Sequence, residues 1–277
     1  MESFFIVGIE PLRYGPIPNI IILLYYIMKH HFYMTYRGNK RQEVERILEN
    51  IDLTNITTII EPFAGSSALS YYIHTQYPNK FKYILNDNDA KLMQLYQMAK
   101  EGTIQEFFNK INSMCFNDNG DFIDKDRYKE IVKKKDLEGW FIANKFYCRV
   151  SGLYPLNGRK THIKNDLGQG FTDFLQSDAV HLSQNDAVDL VDRYKDDDTC
   201  LIFLDPPYMD LNNDFYNCGG KNIYEYLNYN KTFKSKIVVV VNETWINDII
   251  FANYKAIKYN KLYQQSKRKV IHCLYTN

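Results

Sequence analysis

The apolar run Leu201-Ile202-Phe203-Leu204 stops at Asp205-Pro206-Pro207-Tyr208, and this junction constrains the fold more than any other stretch of the chain. A short, unbroken apolar run reads as a strand buried on both faces, and such strands belong to parallel sheets covered by helices. Two consecutive prolines cannot extend a ladder, because each lacks an N–H and fixes φ near −65°. The junction is therefore the carboxyl end of a strand in an α/β sheet, which is where the ligand crevices of these sheets lie. Ile237 to Val241 repeats the pattern and ends at Asn242-Glu243. Ile56 to Ile60 and Phe81 to Leu85 supply two further strands.

The residue types at the junction suit methyl transfer onto an exocyclic amine. The N6 of adenine or the N4 of cytosine is a poor nucleophile because its lone pair is delocalised into the ring. Accepting hydrogen bonds from both N–H groups returns density to the nitrogen. Asp205 can accept one, and the carbonyl of Pro206, held rigid with Pro207, can accept the other. The ring of Tyr208 offers a face on which a base drawn out of a duplex stacks, recovering part of an unstacking cost of a few kcal/mol. A Pro-Pro turn that only ends a strand is the plain alternative.

A second constellation lies upstream. The first strand runs into Glu61-Pro62-Phe63-Ala64-Gly65-Ser66-Ser67 and then Ala68-Leu69, which reads as strand, small-residue turn and helix. Small residues let the backbone approach a ligand, and the first N–H groups of the new helix face it. About twenty residues further on, the next strand ends in Asn86-Asp87-Asn88-Asp89, an acidic position suited to a ribose diol. Asp87 is the expected ligand of that diol; an ordinary βαβ unit in which Asp87 caps the following helix is the competing reading.

Glu61-Pro62-Phe63-Ala64-Gly65-Ser66-Ser67, Leu85-Asn86-Asp87 and Asp205-Pro206-Pro207-Tyr208, in this order, resemble the DPPY-type adenine-N6 DNA methyltransferases of the α-ordered, Dam-like group. The resemblance implies S-adenosyl-L-methionine as donor and DNA as substrate, methylated at specific sites as in restriction-modification. It also implies that Tyr36 and Lys40, in Tyr36-Arg37-Gly38-Asn39-Lys40-Arg41, contact the donor. Glu61, Pro62, Phe63, Gly65, Ser66 and Asp87 are its expected companions. Asp186, in Leu182-Ser183-Gln184-Asn185-Asp186, would bind the donor adenine. Ser67 departs from the pattern, which has glycine there, and sets a Cβ where the backbone would approach the methionine moiety. Similarity extends from about Met34 to the closing segment Arg268 to Asn277.

Composition is that of a globular protein: 277 residues, 45% hydrophobic, 24% charged, net charge +1. Basic residues are nonetheless clustered. Gly139 to Asn165 holds Lys145, Arg149, Arg159, Lys160 and Lys164 with no acid, and Ile249 to Asn277 holds six cations including Lys267-Arg268-Lys269, again with no acid. Such clusters fit phosphate contacts, or simply a solvated surface. Cys115, Cys148, Cys200, Cys218 and Cys273 show no C-x-x-C spacing, so no metal is expected, and a reducing, cytoplasmic or nucleoid-associated setting is. The apolar run Ile20 to Met28 is short of the roughly 20 residues a membrane span needs.

The expected fold is a Rossmann-like α/β methyltransferase sheet, residues 34–89 and 181–277, interrupted by a mainly helical target-recognition insert, residues 90–180. Residues 1–33 form an extension without assigned role. Within the insert, Asn144 to Tyr154 resembles the segment that enters DNA beside the flipped base, so Arg149, Tyr154, Asn157, Arg159 and Lys160 are candidate DNA contacts. Met209 to Asn230 lacks periodicity and is expected to be a loop over the target base. Adenine in RNA, cytosine N4 in DNA, or DNA binding without turnover are the alternative functions.

Overall fold

The computed structural model describes residues 38–117, 123–145, 167–209, 221–230, 232–263 and 268–277. Its centre is a seven-stranded sheet: β1 (Thr58–Glu61), β2 (Lys82–Asn86), β3 (Val180–Ser183), β4 (Cys200–Leu204), β5 (Lys236–Asn242), β6 (Lys255–Tyr263) and β7 (Arg268–Thr276). The order across the sheet is β3-β2-β1-β4-β5-β7-β6. All neighbours are parallel as far as β5, after which β7 pairs antiparallel with both β5 and β6. β4 is thus the central strand, and every residue of it is buried. The β-branched run Val238 to Val241 in β5 is equally buried, as expected of a strand covered on both faces.

Chain order makes β1 to β3 step outward on one side, then returns to the middle for β4. The ends of β1 and β4 therefore flank the switch point where ligands bind in open α/β sheets. The strands expected at 56–60, 81–85, 201–204 and 237–241 all form, as does the closing hairpin expected between Lys255 and Tyr275.

Helices cover the sheet. α1 (Val44–Leu48) precedes β1, and α2 (Ala68–Gln76) follows the small-residue turn. Between β2 and β3 lie α3 (Ala90–Lys100), α4 (Ile104–Cys115), α5 (Lys125–Lys133), α6 (Leu137–Lys145) and α7 (Gln169–Gln176), so the described part of residues 90–180 is mainly helical. α4 shows why: Ile104, Phe107, Phe108, Ile111 and Cys115 fall on one stripe and are all buried. Each of its Phe and Ile side chains gains about 1.5–3 kcal/mol from that burial. This stripe joins Leu69, Phe81, Leu85 and Tyr96 in one core, so these helices pack as a layer on the sheet.

α8 (Ala187–Tyr194), α9 (Ile223–Tyr229) and α10 (Trp245–Ile250) complete the chain. α9 corrects, over its own residues, the expectation of a loop over the target base from Met209 to Asn230, of which residues 210–220 lie outside the described residues. Asn222 caps this helix by accepting from the N–H groups of Tyr224 and Glu225, and Ile223, Tyr224 and Leu227 are buried. Two turns show too few repeats for a period to be read from sequence, and the Asn-rich flanks that looked like loop include the cap.

Candidate active site

The centre of the site is a buried ion pair. Lys40, only 4% exposed, donates from Nζ to Asp205 Oδ2 at 2.5 Å and to the carbonyl of Gly38 at 2.8 Å. Its own carbonyl accepts from the N–H groups of Glu43 and Val44, so the turn into α1 aims the side chain at the end of β4. Burial raises the Asp205 carboxyl above its ordinary value; Lys40 opposes that shift through its charge and its hydrogen bond. Lys40 was expected beside the donor, and its direct partner is the Asp205 carboxylate.

Tyr208 completes this corner. Its hydroxyl donates weakly to Asp205 Oδ1 at 3.4 Å, Lys40 Nζ lies 5.3 Å from its ring centroid, and His272 meets the ring edge-on at 5.7 Å and 88°. The ring is 8% exposed. The carbonyl of Pro207 accepts from the Tyr224 hydroxyl of α9 at 3.1 Å, which ties the diproline turn to that helix.

Behind Lys40 sits a buried carboxylate that no sequence motif indicated. Glu43 accepts from His272 Nδ1 at 2.6 Å, from the Tyr259 hydroxyl at 2.9 Å and from Lys261 Nζ at 2.6 Å. Burial alone would raise its pKa, but the His272 hydrogen bond, Lys40 and Lys261 together bring it down to about 2. In the sequence Glu43 reads only as a polar position at the start of a helix.

On the other side of the switch point, the small-residue turn is held open by its surroundings. The N–H of Gly65, at φ 47°, donates to Asp87 Oδ2 at 2.8 Å, and the Gly65 carbonyl accepts from the Tyr96 hydroxyl at 2.6 Å. Asp87 Oδ1 accepts from the N–H of Asp89. It is Asp89 that caps α3, accepting from Lys91 and Leu92, so Asp87 is not the cap. Desolvation raises the Asp87 carboxyl.

Glu61, at the end of β1, is buried and accepts from the N–H of Ser70 in the first turn of α2 at 2.7 Å. Desolvation, with a smaller push from Asp205, raises it to about 7. Asn86 joins three strand ends, donating to the carbonyls of Pro62 and Asn185 and accepting from Ser183 and from the Asn185 N–H. It belongs to the quoted Leu85-Asn86-Asp87, yet its bracing role is visible only in three dimensions.

Ser66 is buried and Phe63 is partly buried against the core. Asp186 caps α8 through Val188, and its other oxygen accepts from the N–H of Lys221. Ser67 corrects an expectation. It is fully buried, so its Cβ packs into the protein and does not stand in the crevice, although its φ of 51° explains why glycine suits the position. Tyr36, Arg149, Tyr154, Asn157, Arg159 and Lys160 lie outside the described residues.

Residues 36–276 match the family of D12 class N6 adenine-specific DNA methyltransferases. The chain belongs to this family. The match runs from before Lys40 to the last strand, so it takes in the whole site, and the D12 class defines the reaction as methylation of adenine N6 in DNA. The chain is 25% identical over 245 residues to the Type II methyltransferase M.CviBI of Paramecium bursaria Chlorella virus NC1A, covering 83% of this chain and 89% of that protein. It is 26% identical over 209 residues to the Type II methyltransferase M.MjaIII of Methanocaldococcus jannaschii, covering 65% and 70% respectively. Among the described residues of this D12-class enzyme, no helix is long and apolar enough to cross a membrane, and no group of three His, Cys, Asp or Glu side chains is placed to hold a metal ion.

Proposed function

We propose that the D12-class reaction is carried out at the end of β4, with S-adenosyl-L-methionine as donor and with Asp205, Pro206, Pro207 and Tyr208 as the adenine site. The observation that carries this reading is the Lys40–Asp205 pair, which sits at the switch point one strand from the Gly65–Asp87 turn. Lys40 occupies Asp205 Oδ2, and Oδ1, which takes only the long 3.4 Å bond from the Tyr208 hydroxyl, keeps a lone pair to accept an N–H of the adenine N6. The Pro207 carbonyl is taken by Tyr224, and the Pro206 carbonyl accepts the second N–H. Tyr208, buried beside Asp205 and Lys40, supplies the ring against which the base stacks.

The residues of the turn fit the donor. Gly65, with no Cβ at positive φ, allows close approach, and Asp87 keeps acceptor capacity for a ribose diol beyond the backbone N–H groups of Gly65, Asn88 and Asp89. Tyr36, Lys40, Glu61, Pro62, Phe63 and Ser66 complete the donor side, and Asp186 receives the donor adenine. The donor supplies an electrophilic methyl group, which the amine attacks directly. Asp205 and the Pro206 carbonyl align the amine and hold electron density on nitrogen; preorganised acceptors of this kind are worth about 10²–10³ in rate. Once methylated, the nitrogen becomes acidic and gives up its proton late, so Asp205 need not be a strong base beforehand.

Residues 90–180 act as the target-recognition insert, with Arg149, Tyr154, Asn157, Arg159 and Lys160 on DNA. The Type II names of both relatives favour methylation at a specific sequence. The test is transfer of labelled methyl to unmethylated duplex DNA, single-stranded DNA and RNA, with nucleoside analysis of the product. N6-methyladenine in DNA is expected, falling about 10²–10³-fold in Asp205→Asn while donor binding persists. Full activity in Asp205→Asn, or methyl found on RNA or on cytosine, overturns the assignment.

A further inference from the structure

The β6–β7 hairpin outruns the sheet on the side of the site. The last residue pair between β5 and β7 is Asn242 with His272, but β6 and β7 continue to pair through Asn260–Ile271, Lys261–Val270, Leu262–Lys269 and Tyr263–Arg268. Those four additional pairs extend the hairpin about 13 Å past the carboxyl end of β5, at roughly 3.3 Å per residue. β4 and β5 are parallel, so this is the edge that carries Asp205.

The extension begins at the site itself. His272 touches the Tyr208 ring, and alternation along β7 puts Val270 and Arg268 on the same face as His272, further out. Arg268 and Lys269 are both exposed. Lysines on an edge strand are commonly explained as a guard against edge-to-edge pairing. That explanation serves for β6, and also for Arg268 and Lys269, where β7 pairs only with β6; what sets these two apart is their place past the carboxyl end of β5, on the edge that carries Asp205. No acidic residue occurs between Ile249 and Asn277, so the arm has a single sign of charge.

The sheet order gives this placement a meaning. β4 is central, helices α3 to α7 are inserted between β2 and β3 at one side, and the hairpin forms the other side. A duplex lying across the carboxyl edge with its adenine at Asp205 meets the insert on one flank and the hairpin on the other.

We propose that the β6–β7 hairpin is a second DNA-contact element, in which Arg268 and Lys269 bind backbone phosphates flanking the target adenine, opposite the helical insert. This rests on the adenine site at Asp205. Phosphate contacts carry no sequence information, so the arm sets the orientation and hold of the duplex and not the choice of target.

The test is binding of a labelled, mixed-sequence unmethylated duplex by fluorescence anisotropy across about 50 to 200 mM salt. Each lost phosphate contact lowers the slope of log Kd against log salt by about 0.9. Arg268→Gln with Lys269→Gln is expected to lower it by about 1.8 and to weaken binding at least tenfold at low salt. Lys80→Ala with Lys82→Ala, which removes two charges near the amino end of β2, should leave the slope unchanged. The charge-retaining pair Arg268→Lys with Lys269→Arg should restore it, which a purely structural role would not require. A neutral variant whose slope equals that of the parent, while the parent still methylates DNA, overturns the arm alone. A parent that neither binds nor methylates DNA overturns the underlying function.

Discussion

Ser67 shows how one residue can be read correctly and still be placed wrongly. Its departure from glycine is visible in the chain, and its left-handed backbone accounts for the glycine preference. The direction of its Cβ is a property of the packed turn, and burial puts it away from the crevice. Relief of left-handed strain is worth about 1–2 kcal/mol, part of which is returned to the unfolded chain by the freedom of glycine. Ser67→Gly is therefore expected to raise stability by about 0.5–1 kcal/mol, read as the midpoint of thermal or urea unfolding. A lower midpoint would show that the buried hydroxymethyl group contributes more by packing than it loses in strain.

At the scale of elements, the Glu43 carboxylate fastens the start of α1 to β6 and β7. It thereby holds Lys40 and the hairpin in one arrangement around Tyr208. Removing one member of a buried charged cluster leaves the others uncompensated, at about 3–5 kcal/mol. Glu43→Ala is expected to lose on that order in urea unfolding, with donor and DNA affinity falling together because Lys40 and the hairpin both shift. A loss below about 1 kcal/mol would mean that the cluster rearranges without harm. Helix caps divide along the same lines: Asp89 and Asn222 start α3 and α9 through local bonds, and their residue type alone is a recognised start signal. That Asp89, and not Asp87, is the cap depends on the Gly65 N–H reaching Asp87 from 22 residues away.

For the molecule as a whole, two buried carboxylates give stability opposite dependences on pH. Glu43 is held at about 2, so its contribution is complete above its unfolded value near 4.5 and is lost as pH falls toward 2. Glu61 is raised to about 7, so the folded state keeps a proton that the unfolded chain releases; its contribution is complete below about 4.5 and is lost as pH rises to about 7. The wild type should lose up to about 3 kcal/mol across that upper window from Glu61. Glu61→Gln keeps an acceptor for the Ser70 N–H and removes the titration, so its unfolding free energy should be flatter between pH 4.5 and 7. An unchanged slope in the variant would place the proton elsewhere.

The sequence by itself did not show the short strand β3; it determined the parallel strands β1, β2, β4 and β5 and the closing hairpin, the small-residue turn, the helices in the described part of residues 90–180 and the adjacency of Asp205, Pro206, Pro207 and Tyr208. These are short-range properties: runs of apolar residues, fixed proline φ, and groups adjacent along one backbone. The tertiary structure alone decided which buried charges face each other. Lys40 and Asp205 are 165 residues apart, and Glu43 and His272 are 229 apart. No local pattern encodes such pairs, because their contact is set by the order in which strands join the sheet, and only in a water-poor interior does that contact govern which groups carry charge.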